Sequence, residues 1–222
     1  MGVIIIIRYY CSGFDINNAF GHGLGKMFKF ELNNTKSIVY IPGSLEKLEK
    51  IKTKYIPAFN QYFKNVGIEF EQVNLITSEL SKEDAKKIIN GASFIILMGG
   101  DPFKQKDLCE QLDILSDLKQ FSGIMLGFSA GAMLMSKYII ITPCSEEYPD
   151  FHIEEGLNLD NLSIYPHNNI SSEEYPGELI AGKEKYQKKD LIEVARKYGE
   201  FYYENDGKIW KVSDDIRLLT KN

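Results

Sequence analysis

Arginine is nearly missing from this chain: Arg8, Arg196 and Arg217 are the only three, and the rest of the positive charge is lysine. A fork-like grip on a carboxylate or phosphate therefore has few candidates. Cysteine is equally scarce. Cys11, Cys109 and Cys144 are odd in number, far apart and without a CxxC or Cys/His cluster, which excludes a disulfide scaffold and a zinc site of ordinary spacing and suits a reducing compartment. Long hydrophobic runs are absent as well. The apolar opening Val3-Ile4-Ile5-Ile6-Ile7 stops at Arg8, too short for a signal-peptide core, and no stretch nears the roughly 20 apolar residues that span a bilayer. Ile6 stands where myristoylation wants Ser or Thr. The expectation is a soluble cytoplasmic protein with no membrane partner. Only seven prolines, and no internal period, exclude a low-complexity linker and stacked repeats. A net charge of −5 without a basic stripe argues against nucleic acid as a partner.

What is present fits one compact domain over residues 1–222, at 44% hydrophobic and 26% charged. Short, continuous apolar runs alternate with helical segments, the pattern of strands buried on both faces of a parallel sheet. Strands are predicted at Val3 to Ile7, Ser37 to Ile41, Ile68 to Val73, Ser93 to Met98 and Gly123 to Gly127. Helices are predicted from about Ser44 to Asn65, with a kink or split at Pro57, from Ser81 as N-cap to Asn90, and from Asp101-Pro102 to about Gln120. A further helix follows Ala130, with short strands at Tyr138 to Thr142 and Leu162 to Tyr165. A late helix is predicted over Tyr186 to Tyr198, and Asp206-Gly207 reads as the primed turn of an antiparallel hairpin. The fold class is α/β, a three-layer sandwich whose ligands belong at the carboxyl ends of the parallel strands.

The sharpest local feature is Gly127-Phe128-Ser129-Ala130-Gly131, between an apolar run and a helix. In that setting GxSxG is a nucleophile elbow: the glycines let neighbouring backbones crowd the turn, and the serine oxygen stands above the sheet with the Ala130 amide facing the same space. The plain alternative is a small-residue turn with a satisfied serine. A serine hydroxyl needs a base, usually a histidine oriented by a carboxylate. Of three histidines, His22 lies in a glycine-rich loop, His152 in a charged stretch, and His167 in the loop ending a predicted strand, where a base belongs. The orienting acid comes from Glu146, Glu147, Asp150, Glu154, Glu155 or Asp160; Glu146 and Glu147 come first, with a slight preference for Glu146. A second oxyanion donor is expected from Gly99-Gly100 at the end of the neighbouring strand. A phosphate cradle is disfavoured, because no GxxxxGK[ST] is present and an acid opens the next helix.

Met98-Gly99-Gly100-Asp101, Gly127-Phe128-Ser129-Ala130-Gly131-Ala132, Gly156-Leu157-Asn158-Leu159 and Tyr165-Pro166-His167-Asn168 resemble, in order and spacing, peptidase family S51, the aspartyl dipeptidases (dipeptidase E) and cyanophycinases. The resemblance implies a flavodoxin-like sandwich related to class I glutamine amidotransferases, a Ser129 nucleophile, a His167 base, and Gly100 and Ala130 amides as oxyanion hole. It implies neither metal nor organic cofactor, and a short peptide as substrate. Where those dipeptidases carry an aspartate after the serine helix, this chain has Cys144 and Ser145, followed by Glu146 and Glu147. Two other readings compete: a small-ester hydrolase, and a non-catalytic protein that binds a peptide or metabolite on the same scaffold. The 38 positions from Ser129 to His167 speak against an α/β-hydrolase esterase, and serine in place of cysteine at 129 removes glutamine amidotransfer in its usual form.

Overall fold

The computed structural model describes residues 7–11, 23–141, 146–150, 152–160, 163–166, 191–193, 201–205, 208–212 and 216–219. The chain proceeds through β1 (Ile7–Cys11), α1 (Leu24–Glu31), β2 (Ser37–Gly43), α2 (Leu48–Lys50), α3 (Ile56–Asn65), β3 (Gln72–Leu75), α4 (Lys82–Asn90) and β4 (Phe94–Gly100). It continues through α5 (Pro102–Gln111), α6 (Leu115–Gln120), β5 (Ile124–Phe128), α7 (Ala130–Met135), β6 (Tyr138–Ile141), β7 (His152–Glu155) and β8 (Ser163–Tyr165). β9 (Leu191–Glu193), β10 (Phe201–Asn205), β11 (Lys208–Val212) and β12 (Ile216–Leu219) complete it.

Eight strands form one sheet in the order β12-β11-β10-β1-β5-β4-β2-β3. The five from β1 to β3 are parallel, and β10 to β12 extend the β1 edge antiparallel. The parallel strands read as unbroken apolar runs because both faces are covered. Val39, Ile41, Ile95, Leu97 and Met125 face a core with residues of α4, α5, α6 and α7. Ile38, Tyr40, Phe94, Ile96 and Leu126 face a second core with Leu24 and Phe28 of α1 and Phe59 and Phe63 of α3. This is the α/β sandwich. The separate antiparallel pair β6-β7 lies outside the main sheet. Among the described residues no helix is long and apolar enough to cross a membrane.

Several elements differ from expectation. β3 occupies Gln72–Leu75 rather than Ile68 to Val73, because Ile68 and Phe70 serve burial instead: Ile68 is 3% exposed, and the Phe70 ring packs on Phe63 and Phe94. The segment after β2 passes through a 3-10 turn (Leu45–Lys47), α2 and a π-helical stretch (Ile51–Tyr55) before α3, whose second residue is Pro57. The wide π turn supplies the split that proline requires. The helix predicted from Asp101 to Gln120 breaks at Asp113, which takes a φ of 56° without glycine or proline. β1 begins at Ile7, and Val3 to Ile6 lie outside the described residues. At 191–193, within the helix predicted over 186–198, the chain is strand β9 paired parallel with β8, so the ladder overrides local helical periodicity. The C-terminal hairpin is present as β10-β11, with Asn205 opposite Lys208.

Candidate functional site

Ser129 follows β5 directly and caps α7 with φ 47° and ψ −109°. A non-glycine residue at such a φ is held there by its surroundings, and two backbone bonds do the holding. The Ser129 amide donates to the Cys11 carbonyl at 2.9 Å, and its own carbonyl accepts from the Met133 amide at 3.0 Å. The flanking glycines allow α7 to lie flat on the sheet. A Cβ on Gly127 would meet the Ala132 nitrogen at 2.7 Å, and one on Gly131 would meet the Leu97 carbonyl oxygen at 2.0 Å. Gly131→Ala is accordingly expected to destabilise the fold by about 3 kcal/mol through overpacking against β4 backbone. Thermal unfolding checks this, and an unchanged melting temperature would contradict the packing described.

The Gly99-Gly100 loop stands beside the serine. A Cβ built on Gly99 would lie 3.7 Å from the Ser129 Cβ and from the Phe128 oxygen. β2 and β4 part at a register shift between Ile41 and Gly43, and the buried Gln105 amide fills the gap, donating to the Ile41 carbonyl at 2.8 Å and the Met98 carbonyl at 3.1 Å. Gly100 has φ 143°, and a Cβ there would strike Gly43 Cα at 3.0 Å. These two glycines pack back to back, and no side chain fits between them.

Asp101 caps α5 as Asp-Pro predicted. One carboxylate oxygen accepts from the Phe103 amide at 2.9 Å and the Lys104 amide at 3.1 Å. The other accepts the Tyr148 hydroxyl at 2.6 Å. The sequence offers no signal for Tyr148, which is 47 positions away. Its ring lies 5.7 Å from Phe103, whose other neighbour is the His152 ring at 4.6 Å.

Glu146 and Glu147 are both exposed. Glu147 pairs with Lys104 Nζ at 3.0 Å, and the same ammonium holds Glu46 at 3.0 Å. Hydrogen bonds to these carboxylates, Glu147 first, raise the Lys104 pKa. Glu147 is thus tied to α5, while Glu146 makes no such ion pair among the described residues. His152 lies 3.2 Å from Glu154, as a half-exposed member of a surface pair. Lys106, 3.0 Å from Glu154, is the main reason that carboxyl's pKa is lowered. His167 and His22 lie outside the described residues.

Arg8 is buried at 3% exposure on β1, with its Nε 3.8 Å from Asp160. Asp160 also accepts the hydroxyl of Tyr10. The single arginine of the first 195 residues is a buried residue beside Asp160. Cys11 sits behind the serine with its thiol pKa pushed far up by burial, so the thiol beside the elbow is inert at neutral pH.

The family model described as peptidase family S51 matches residues 11–198. No curated protein sequence matches the chain. Among solved structures, a candidate peptidase E protein from Listeria monocytogenes EGD-e is similar at a TM-score of 0.65 and 16% identity, covering 97% of this chain and 100% of that one. A peptidase from an acI-B1 actinobacterium is similar at a TM-score of 0.61 and 19% identity, covering 98% of this chain and 95% of that one. At these identities the two structures speak to the fold.

Proposed function

This chain belongs to peptidase family S51 and is a serine-type peptidase, and from that premise we propose that it hydrolyses short peptides through Ser129, His167 and Glu146. The observation that carries this reading is the backbone of Ser129, held at φ 47° with the Gly99-Gly100 loop against it. Ser129 Oγ attacks the scissile carbonyl carbon while His167 takes its proton, and the carbonyl oxygen becomes an oxyanion held by the amides of Gly100 and Ala130. The C–N bond then breaks as His167 returns the proton to the leaving amine. Water, losing a proton to the same imidazole, attacks the acyl-serine, and the serine leaves with that proton restored. Glu146 orients the imidazole.

The chain's reach supports His167 in this role. The Ile164 amide is anchored to Ser136 Oγ at 3.0 Å, at the foot of α7. Seven helical steps from Ser129 to Ser136 descend about 10 Å, and a chain of three residues, the separation of Ile164 and His167 in the sequence, reaches at most about the same distance. We further read residues 1–222 as one domain and the cytoplasm as its compartment.

The test is labelling with a fluorophosphonate beside a panel of dipeptides varied at the amino-terminal residue, Asp-Xaa included, and p-nitrophenyl esters. The expected result is a single adduct on the tryptic peptide 120–137, which contains Ser129, together with cleavage of at least one dipeptide. Esters cleaved without peptides would point to an ester hydrolase. No adduct at high reagent and no turnover would point to a binding protein.

A further inference from the structure

We infer that Tyr148 is a positioning residue for the oxyanion loop, acting through Asp101. This rests on the assignment of the Gly100 amide as an oxyanion donor. Gly99 and Gly100 end β4, and two adjacent glycines carry four soft dihedrals that only their neighbours fix. On one side the ladder with β2 fixes them, with Gly43 opposite Gly100 and packed behind it. On the other side stands Asp101, the residue directly after the donor. Five hydrogen bonds hold Asp101: its amide donates to the Gly43 carbonyl at 3.0 Å, its carbonyl accepts from the Gln105 amide at 3.1 Å, and its carboxylate takes the Phe103 and Lys104 amides and the Tyr148 hydroxyl.

The bonds from Phe103, Lys104 and Gln105 come from the helix that Asp101 itself caps, and they follow Asp101 if it swings together with the start of α5. The Gly43 bond ties its backbone to β2 and leaves its side chain to be fixed from elsewhere. The Tyr148 bond comes from the 146–150 segment after β6, and at 2.6 Å to a carboxylate it is the shortest of the five. Charge-assisted bonds of this kind are the strong ones. It is the lateral stay, and it joins the donor loop to the segment that carries Glu146. Loss of the hydroxyl leaves the α5 cap on the other carboxylate oxygen and leaves the ring contact with Phe103 at 5.7 Å. What is lost is the fixed direction of the donor, on which stabilisation of the tetrahedral state depends and substrate binding does not.

Tyr148→Phe in the full chain tests this. The second-order rate of fluorophosphonate inactivation and kcat for the best dipeptide are both expected to fall about ten-fold. KM should stay within about two-fold, melting within about 2 °C, and the pH profile of kcat unmoved. Asp101→Asn, which keeps a cap acceptor but gives the phenol an uncharged partner, is expected to fall between wild type and Tyr148→Phe; it also serves if the first variant fails to fold. Inactivation rates of both variants equal to wild type would overturn the positioning role, as would a rise in KM that accounts for the whole loss. A displaced pH limb would overturn it too, by showing that Tyr148 acts through the acid and base. A wild-type chain that resists both reagent and dipeptides overturns the peptidase mechanism itself, whereas a labelled wild type with indifferent variants overturns only the role of Tyr148.

Discussion

Ser129→Ala is expected to lower kcat for peptide hydrolysis on the order of 10⁴- to 10⁶-fold, with KM and melting temperature close to wild type. The size follows from the division of labour in the proposed mechanism. Without the oxygen, no acyl-serine forms, and the remaining amide donors can only assist direct attack by water. The retained stability follows from the backbone. Ser129 is only partly buried, and its positive φ is fixed by the Cys11 and Met133 bonds, which involve main-chain atoms that alanine also has. Ser129→Gly should be equally inactive, yet more stable than Ser129→Ala by about 1 kcal/mol, because glycine adopts that φ without strain. Steady-state kinetics with thermal melts measures both. Undiminished hydrolysis by Ser129→Ala would reject the nucleophile.

The second large effect concerns stability. Asp160→Ala is expected to cost about 3–5 kcal/mol, because it leaves a buried guanidinium without its counter-charge. Arg8 is 3% exposed, and its Nε and Nη1 find no hydrogen-bond partner among the described residues. The Asp160 carboxylate at 3.8 Å is therefore its compensation. Arg8→Met should cost less than Asp160→Ala, since the carboxylate keeps the Tyr10 hydroxyl. The double variant Arg8→Met/Asp160→Asn should be more stable than Asp160→Ala, the signature of a coupled buried pair. Urea unfolding resolves these differences. A loss below about 1 kcal/mol for Asp160→Ala would mean that water reaches the guanidinium.

How much of this was legible in the sequence depends on range. Strands β2, β4 and β5 declared themselves because burial on both faces leaves a short, continuous run of apolar residues. β3 did not, because an edge strand needs apolar residues less than the loop beside it does: Val73 is 46% exposed while Ile68 is buried. The break at Asp113 was invisible, since neither glycine nor proline marks it. The turn at Ser129 and the close approach at Gly99-Gly100 were readable because each is a local demand that crowds backbone on backbone. Neither the Tyr148–Asp101 bond nor the Arg8–Asp160 pair leaves a local trace, for each joins residues whose nearness is created by the fold. The choice between Glu146 and Glu147 was open in the sequence; the Glu147–Lys104 ion pair occupies one of them.

The placement of β1 inside the sheet carries a consequence for biosynthesis. Its one flank is covered by β5, but the other waits for β10, with Cys11 opposite Phe201. A nascent chain therefore carries this strand with both edges open until β5 is made and with one edge open until β10 is made, its edge amides available to any passing strand. Closure is a late, long-range event, so shortened products ending before Phe201 would emerge as the species most in need of chaperones.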